Sequence, residues 1–321
     1  KATGMTQETL AGWLYDSLRN KIMTLPDNVI VYPAHGAGSA CGKNMSSETW
    51  STIGKQKVEN YALRADMTRD EFIEEVTEGL LPPPEYFAKN ARLNKTGYES
   101  IDTVMKRGAI PLAPEAFEAA ANAHGALVLD VRTKEEFVGG FIPNSVFIGL
   151  DGSFAPWVGA LIPDIQQPIL LVAPAGRAEE AVMRLARVGY DHAIGYLEGG
   201  MEAWIRAGKE VDAINTIDVA TLEGVVGSDR TVLDVRKPSE WEAEHIENAQ
   251  NFPLDFINKN MNQIRREQPY VVHCRSGYRS TIAASILKAR GFEDLVNVHG
   301  LFEDIASSSI PTTDYVCPSN S

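Results

Sequence analysis

The chain has 321 residues, of which 44% are hydrophobic and 23% charged, a composition typical of a globular protein with two or three domains. Its formal net charge of -13 argues against nucleic-acid binding and against binding to an anionic membrane, since both need clustered Lys and Arg. The sequence contains no apolar run of the roughly 18 residues needed to cross a bilayer, and we expect no signal peptide. Three scattered cysteines exclude a disulfide framework and favour a reducing, cytoplasmic location, where an important cysteine acts as a thiol.

The first 105 residues contain helical patterns but only one clear strand, at 29–32. Thr6 is a suitable cap for a first helix, Ser47 is predicted to open a second, and 68–71 form a capping box for a third. The first helix has an apolar stripe made of Leu10, Trp13, Leu14, Leu18 and Ile22. Because this segment has too few strands for a complete domain and opens on Lys1, we expect its upstream part to be missing.

An internal repeat organises the rest of the chain. The segment 127–132 (LVLDVR) matches 231–236 (TVLDVR), and Glu136 matches Glu240 at the same shift. We therefore predict three parts. They are the C-terminal part of a domain at 1–105 and two related domains at 106–211 and 212–321.

Both related domains alternate short apolar runs with helical patterns. The runs at 232–233 and 270–272 are too apolar for half-exposed strands, so we interpret them as buried parallel strands. A helical pattern from Ser280 to Arg290 follows the second run and ends at Gly291. The predicted fold class is therefore α/β, with two tandem parallel-sheet domains that carry helices on both faces.

The loop Cys274–Arg279 follows a buried strand and precedes a helix, which is where parallel α/β folds bind ligands. The helix N-terminus supplies free backbone N–H groups, and Arg275 and Arg279 add positive charge. These groups favour a nucleophilic thiolate at Cys274, and Gly277 permits the tight turn that aims N–H groups at the sulfur. The sequence predicts Cys274 as the catalytic residue. The predicted substrate-binding residues are Arg275, Ser276, Gly277, Tyr278 and Arg279.

The residues around Cys274 also allow two other interpretations. A cysteine at the end of a strand is often an inert core residue, but two arginines in the loop argue for a reactive thiol. Cysteine phosphatases also hold an anion in a strand–loop–helix turn, but their arginine follows the cysteine by six positions. Here Arg279 follows Cys274 by five, and the smaller loop suits a sulfur atom better than a phosphate.

The strand at 231–236, the loop 274–279 and the helix after it are similar to the rhodanese family. In that family the cysteine takes a sulfur atom from a sulfane donor, holds it as a persulfide and passes it to an acceptor. The resemblance implies sulfur transfer through Cys274, with thiosulfate, low-molecular-weight persulfides, sulfite and thiols as small-molecule partners. It also implies that Asp234, Arg236 and Glu240 connect the strand end to the neighbouring helix.

The first repeat resembles a rhodanese without the reactive group. Its corresponding turn runs from Ala173 to Arg177, with Ala173 in place of the cysteine and Pro174 in place of the first arginine. Because no thiol is available there to carry sulfur, we expect a pseudo-rhodanese that serves packing, docking or orientation.

His35 lies in a glycine-rich loop directly after the predicted strand at 29–32. On the residues alone, a metal-site histidine and an ordinary loop histidine are equally good interpretations. The stretch 32–42 resembles the late part of the αββα metallo-β-lactamase fold, in its glyoxalase II and persulfide dioxygenase branches. This implies that His35 belongs to a metal site in an intact N-terminal domain, with Fe(II) or Zn as cofactor. The family's main histidine cluster is missing here, so we expect the given chain to bind no catalytic metal. Cys41 lies in the same loop. We interpret it as a small buried residue in preference to a residue of the metal site.

The order of the parts resembles bacterial persulfide dioxygenase–sulfurtransferase fusions, which implies a role in sulfide and persulfide detoxification and association into a homo-oligomer. Two alternatives stay open. The chain could belong to a glyoxalase-like thioesterase with accessory rhodanese domains, or it could be a persulfide-sensing or docking module without turnover.

Three further residues have simple interpretations. Cys317 is interpreted as an idle thiol and His273 as a structural residue. His299 is interpreted either as a residue of the pocket rim or as a packing residue.

Overall fold

The computed structural model describes residues 6–33, 48–78 and 85–316. The chain divides into two compact units, 1–83 and 84–321. Within the second unit, two parallel sheets with flanking helices confirm the predicted α/β class. The boundaries 1–105, 106–211 and 212–321 stay predictions.

The first unit is mainly helical. Its elements are α1 (Gln7–Ser17), a π-helical turn (Leu18–Ile22), β1 (Ile30–Val31), β2 (Ser51–Thr52), α2 (Ile53–Glu59), a 3-10 turn (Tyr61–Leu63) and α3 (Arg69–Thr77). The strands β1 and β2 pair antiparallel. The predicted cap at Thr6 and the capping box between Thr68 and Glu71 are both present.

One expectation about this unit needs correction. A helix was predicted to open at Ser47, which lies outside the described residues. The helix begins at Ile53 instead, because Ser51 and Thr52 pair with β1 and Thr52 caps the helix. The apolar stripe of α1 is largely exposed, with Trp13 at 51%, because α1 packs on α3 through another face that includes Tyr15. The assignment of this unit to the metallo-β-lactamase fold stays a prediction.

The second unit begins with two helices and then contains the two repeats. The helices that precede the first sheet are α4 (Glu85–Thr96) and α5 (Ile101–Gly108). The elements of the first repeat are β3 (Pro111–Leu112), α6 (Pro114–His124), β4 (Leu127–Asp130), α7 (Lys134–Gly139), β5 (Val146–Phe147), α8 (Phe154–Leu161), β6 (Ile169–Val172), α9 (Ala178–Ala186), β7 (Ala193–Leu197) and α10 (Gly200–Arg206).

The second repeat has a matching series of elements. They are β8 (Asn215–Ile217), α11 (Val219–Glu223), β9 (Thr231–Asp234), α12 (Pro238–Ala243), β10 (Gln250–Asn251), a 3-10 turn (Leu254–Phe256), α13 (Ile257–Asn260), a 3-10 turn (Met261–Gln263), β11 (Tyr270–His273), α14 (Tyr278–Ala289), β12 (Leu295–Val298) and α15 (Phe302–Ala306).

The two sheets have the same topology, which confirms the repeat. The first has the strand order β3-β7-β6-β4-β5 and the second the order β8-β12-β11-β9-β10, and every pairing within them is parallel. Local details also recur. Asn144 and Asn248, which are equivalent, both have a positive φ, of 65° and 64°. The backbone therefore turns in the same way in both copies.

A buried Asp–Arg pair supports the end of β4 in the first repeat and of β9 in the second. Arg236 donates to both carboxylate oxygens of Asp234 and, at 2.7 Å, to the carbonyl of Glu244 beyond α12. Arg132 binds Asp130 and the carbonyl of Gly140 in the same way. The expected structural role of Asp234 and Arg236 thus agrees with the geometry.

The helix α14 lies between the two repeats and is buried on all sides from Ser280 to Leu287. On one side it packs on its own sheet, and on the other it contacts β5 of the first repeat. The backbone N–H of Phe147 donates to Ser285 Oγ across this junction at 3.0 Å. One continuous hydrophobic core therefore includes residues of both repeats, such as Leu129 and Ile282.

Candidate active site at the cysteine loop

The cysteine loop is a tight turn between β11 and α14. Cys274 follows the last strand residue, and Gly277 has φ +84°, a left-handed conformation that residues with a side chain rarely adopt. The backbone N–H of Gly277 points back into the turn and donates to Cys274 Sγ at 3.2 Å. The loop therefore directs a backbone donor at the sulfur, as the sequence predicts.

The thiol itself is well covered, since Cys274 is only 2% exposed. Residues of other elements lie close to Gly277, because a Cβ atom at that position would be 3.3 Å from Lys134 Nζ and 3.7 Å from His299 Cα. The sulfur is thus shielded from bulk solvent and accepts a hydrogen bond from the backbone.

Arg279 lies in the first turn of α14 and forms a bidentate ion pair with Glu240 on α12. Its two terminal nitrogens donate to the two carboxylate oxygens at 2.6 and 2.8 Å. Burial acts to raise the pKa of Glu240, but the hydrogen bonds and charge of Arg279 outweigh it and lower that pKa. Burial acts to lower the pKa of Arg279, and Glu240, with a smaller contribution from Cys274, raises it overall. The pair thus stays ionised and fixes the start of α14.

Arg275 is directed outwards from the loop. Its side chain is 66% exposed and binds Glu303 of α15 through two nitrogens, at 3.1 and 2.9 Å. Both arginines of the loop are consequently balanced by a glutamate. Neither supplies the unopposed positive charge that the sequence suggests, so the sulfur depends more on backbone groups than expected.

The first repeat contributes two contacts to the loop. Lys134 Nζ donates to the carbonyl of Ser276 at 2.7 Å, and the Tyr278 hydroxyl donates to the carbonyl of Gly149 at 2.8 Å. Burial raises the pKa of Tyr278, so its phenol remains a neutral donor. Neither Lys134 nor Gly149 is predicted as a partner of the loop from the sequence. No local pattern could identify them, because they lie 142 and 129 residues away along the chain.

The two nearby histidines occupy different environments. His273 is fully buried and its ring stacks on Phe302, with ring centroids 6.0 Å apart and Nε2 3.7 Å from Asp234 Oδ2. Burial lowers the pKa of His273, so its ring is neutral and serves packing, in line with the structural interpretation. His299 is 41% exposed and lies close to Gly277, with Nε2 3.6 Å from Glu135 of the first repeat.

The equivalent turn of the first repeat shares a left-handed glycine with the cysteine loop but has other side chains. Gly176, three residues after Ala173, has φ +76°, just as Gly277 follows Cys274. Arg177 binds Asp151 and Glu180 and so has carboxylate partners of its own. With Ala173 in place of a thiol, this turn has no group that could carry sulfur.

Three residues singled out in the sequence analysis, His35, Cys41 and Cys317, lie outside the described residues. In the described ranges, no group of three or more His, Cys, Asp and Glu side chains is arranged to hold a metal ion. The described part therefore does not fit an iron or zinc centre.

Among the helices at 6–33, 48–78 and 85–316, none combines the length and apolar character that a bilayer crossing requires.

Comparisons with known proteins bear on both repeats. The Rhodanese-like domain family matches residues 113–207 and 219–308. The uncharacterized protein YqhL of Bacillus subtilis (strain 168) is 36% identical over 72 residues, which are 22% of this chain and 57% of that protein. A protein of the same organism, named "Putative sulfur carrier protein YrkF", is 32% identical over 92 residues, which are 28% of this chain and 50% of that protein. This chain thus spans about half the length of these two relatives.

One solved structure is similar over a longer part of the chain. The crystal structure of a metallo-beta-lactamase from Staphylococcus aureus subsp. aureus COL is 26% identical and has a TM-score of 0.47. The similarity covers 61% of this chain and 53% of that one.

Proposed function

The chain belongs to the rhodanese family, with a Rhodanese-like domain in each repeat, and on that premise we propose that it is a sulfurtransferase that carries sulfane sulfur on Cys274. The single observation that supports this most is the N–H of Gly277 aimed at Cys274 Sγ. A backbone donor in this position stabilises negative charge on the sulfur. The name of YrkF, a sulfur carrier, agrees with the proposal.

The proposed reaction has two steps and no net oxidation. The Cys274 thiolate attacks the outer sulfur of thiosulfate, the S–S bond of the donor breaks, and sulfite leaves with the electron pair. The product is a cysteine persulfide whose terminal sulfur is anionic. A nucleophilic acceptor, either a thiolate or cyanide, then attacks that terminal sulfur, and the bond to Cys274 breaks to return the thiolate.

The test is sulfur transfer from thiosulfate to cyanide, measured as thiocyanate, in the wild type and in Cys274→Ser. We expect multiple turnovers for the wild type and none for the variant, since a serine hydroxyl cannot form a persulfide. Mass spectrometry after thiosulfate treatment should add one sulfur to the peptide with Cys274 and none to the peptide with Cys317. Persulfide formation without thiocyanate release would instead favour the sensing or docking module.

At a finer level, we propose that the chain is part of a longer persulfide dioxygenase–sulfurtransferase of the bacterial cytoplasm. Such a protein would act in sulfide and persulfide detoxification, with low-molecular-weight persulfides and sulfite as reactants. The support is the resemblance of 32–42 and the order of the parts. An iron centre would need ligands that the described residues do not provide, so no step above passes through a metal. Oxygen consumption with glutathione persulfide, assayed on the full-length protein, tests this, and thioester hydrolysis instead would favour the glyoxalase-like alternative.

A further inference from the structure

We propose that Lys134 of the first repeat is a positioning residue for Cys274 of the second repeat. The proposal rests on the sulfurtransferase function proposed above and names a residue that the loop itself does not contain. It gives the repeat without a cysteine a chemical role in the reaction, in addition to its packing role.

The geometry connects the two residues through one peptide group. Lys134 Nζ donates to the carbonyl oxygen of Ser276 at 2.7 Å, and the N–H of Gly277 donates to Cys274 Sγ at 3.2 Å. That carbonyl and that N–H belong to the same peptide, which is trans like every other peptide within the described ranges. In a trans peptide the C=O and N–H bonds point in opposite directions. The ammonium group and the sulfur therefore bind the two ends of a single dipole.

This arrangement should strengthen the contact to an anionic sulfur. A cation at the carbonyl oxygen polarises the peptide and makes its N–H a better donor, as in other chains of hydrogen bonds. The side chain of Lys134 is only 22% exposed, so water screens its charge incompletely. Lys134 also fixes the plane of the peptide, so the N–H keeps its aim while sulfur is exchanged.

The lysine is held in place by its own helix. It is the first residue of α7, whose start is fixed by a capping box between Thr133 and Glu136, with bonds of 3.0 and 3.2 Å. A positive charge in the first turn opposes the helix dipole, so local helix stability does not explain a lysine at this position. The equivalent residue of the second repeat is Pro238, which has no side-chain amine.

Other charged groups also surround the peptide and contribute to any dependence on pH. They are Glu135 of α7, His299 after β12, Arg275 with Glu303 of α15, and Arg279 with Glu240 of α12. Lys134→Gln leaves all of these groups in place, but it also removes the cation that lies 3.8 Å from Glu135 Oε1. Lys134→Arg keeps a cation beside Glu135 and is therefore the second comparison.

The experiment measures the single-turnover rate of persulfide formation from thiosulfate between pH 5 and 10. The variants are Lys134→Gln, Lys134→Arg and, as a matched control, Lys237→Gln. Lys237 is an exposed lysine just before α12. We expect Lys134→Gln to slow the reaction about 10-fold at pH 7, since it removes one charge-assisted hydrogen bond that acts through the peptide. The pH at which the rate reaches half of its maximum should also be higher in this variant than in the wild type.

Arginine at 134 keeps the charge and should restore most of the rate, and Lys237→Gln should stay near the wild type. Circular dichroism shows whether each variant is folded. A folded Lys134→Gln variant with an unchanged profile overturns the inference and leaves the proposed function intact. A slower rate without a pH shift also overturns it, because a purely structural contact would behave in that way. An inactive wild type instead overturns the proposed function itself.

Discussion

Arg279 and Glu240 lie 39 residues apart in the sequence and form a bidentate ion pair, with both bonds between 2.6 and 2.8 Å. The pair joins the first turn of α14 to α12, the helix that follows β9. Arg279 is 16% exposed and Glu240 30%, so each needs the other as a partner. The guanidinium of Arg279 is thereby held in position at the start of α14.

Replacing Arg279 with alanine should weaken the use of thiosulfate. We expect a fall of roughly 10- to 100-fold in kcat/KM, because the start of α14 loses its support and Glu240 is left as an unpaired charge near the sulfur. The chain should remain folded, with a stability loss of about 1–3 kcal/mol. The measurement is steady-state transfer to cyanide together with a urea titration. Unchanged kinetics would exclude a role of Arg279 in the site.

The same pair predicts a dependence of stability on pH. The pKa of Glu240 is lower in the folded state than in the unfolded chain, so its contribution is present above the usual carboxyl pKa of about 4.3. That contribution is lost as the pH falls through the lowered folded value. The wild type should therefore be more stable than Glu240→Gln at pH 7, by roughly 1–3 kcal/mol, and the difference should shrink towards pH 3. Urea midpoints at both pH values provide the measurement, and a difference that does not change with pH would contradict the assignment.

The sequence predicted the framework better than the site. The repeat of 127–132 at 231–236 and the placement of the loop after a strand both agree with the structure, because they depend on local apolar runs and on a glycine turn. The side-chain partners could not be predicted. Glu240, Glu303 and Lys134 reach the loop from other elements, and only the packed sheet and helices bring them there.

The ring of Tyr278 in the second repeat leaves no room for a side chain at Gly152 in the first repeat. A Cβ atom at 152 would lie 2.2 Å from the Tyr278 Cζ atom, so Gly152→Ala must displace the ring and the loop next to it. We expect a loss of about 1–3 kcal/mol in stability and slower sulfur transfer. Gly139→Ala is the control, because a Cβ atom there has no neighbour within 4 Å. Equal behaviour of the two variants in thermal unfolding would show that the repeats do not pack in this way.

The hydrogen bond from Tyr278 to Gly149 predicts a change in stability at high pH. The pKa of Tyr278 is raised in the folded state, so its contribution is complete below the unfolded tyrosine pKa of about 10 and is lost as the pH rises through the folded value. Tyr278→Phe should cost about 1 kcal/mol at pH 7 through loss of the bond, and above pH 10 its disadvantage should decrease. Urea titrations at pH 7 and 10.5 measure both effects. A phenylalanine variant as stable as the wild type at pH 7 would mean that the bond contributes nothing.

A cysteine introduced into the first repeat would show whether the glycine turn alone supports sulfur transfer or whether the groups around Cys274 are also needed. Ala173→Cys places a thiol at the end of β6, with Gly176 in the same left-handed conformation as Gly277. Arg177, however, already binds Asp151 and Glu180, and Pro174 cannot donate a backbone N–H. In a Cys274→Ser background we therefore expect Ala173→Cys to react with iodoacetamide yet to transfer no sulfur from thiosulfate to cyanide. Measurable thiocyanate production from this double variant would show that a glycine turn with a cysteine is sufficient, and that the ion pairs and the lysine around Cys274 are dispensable.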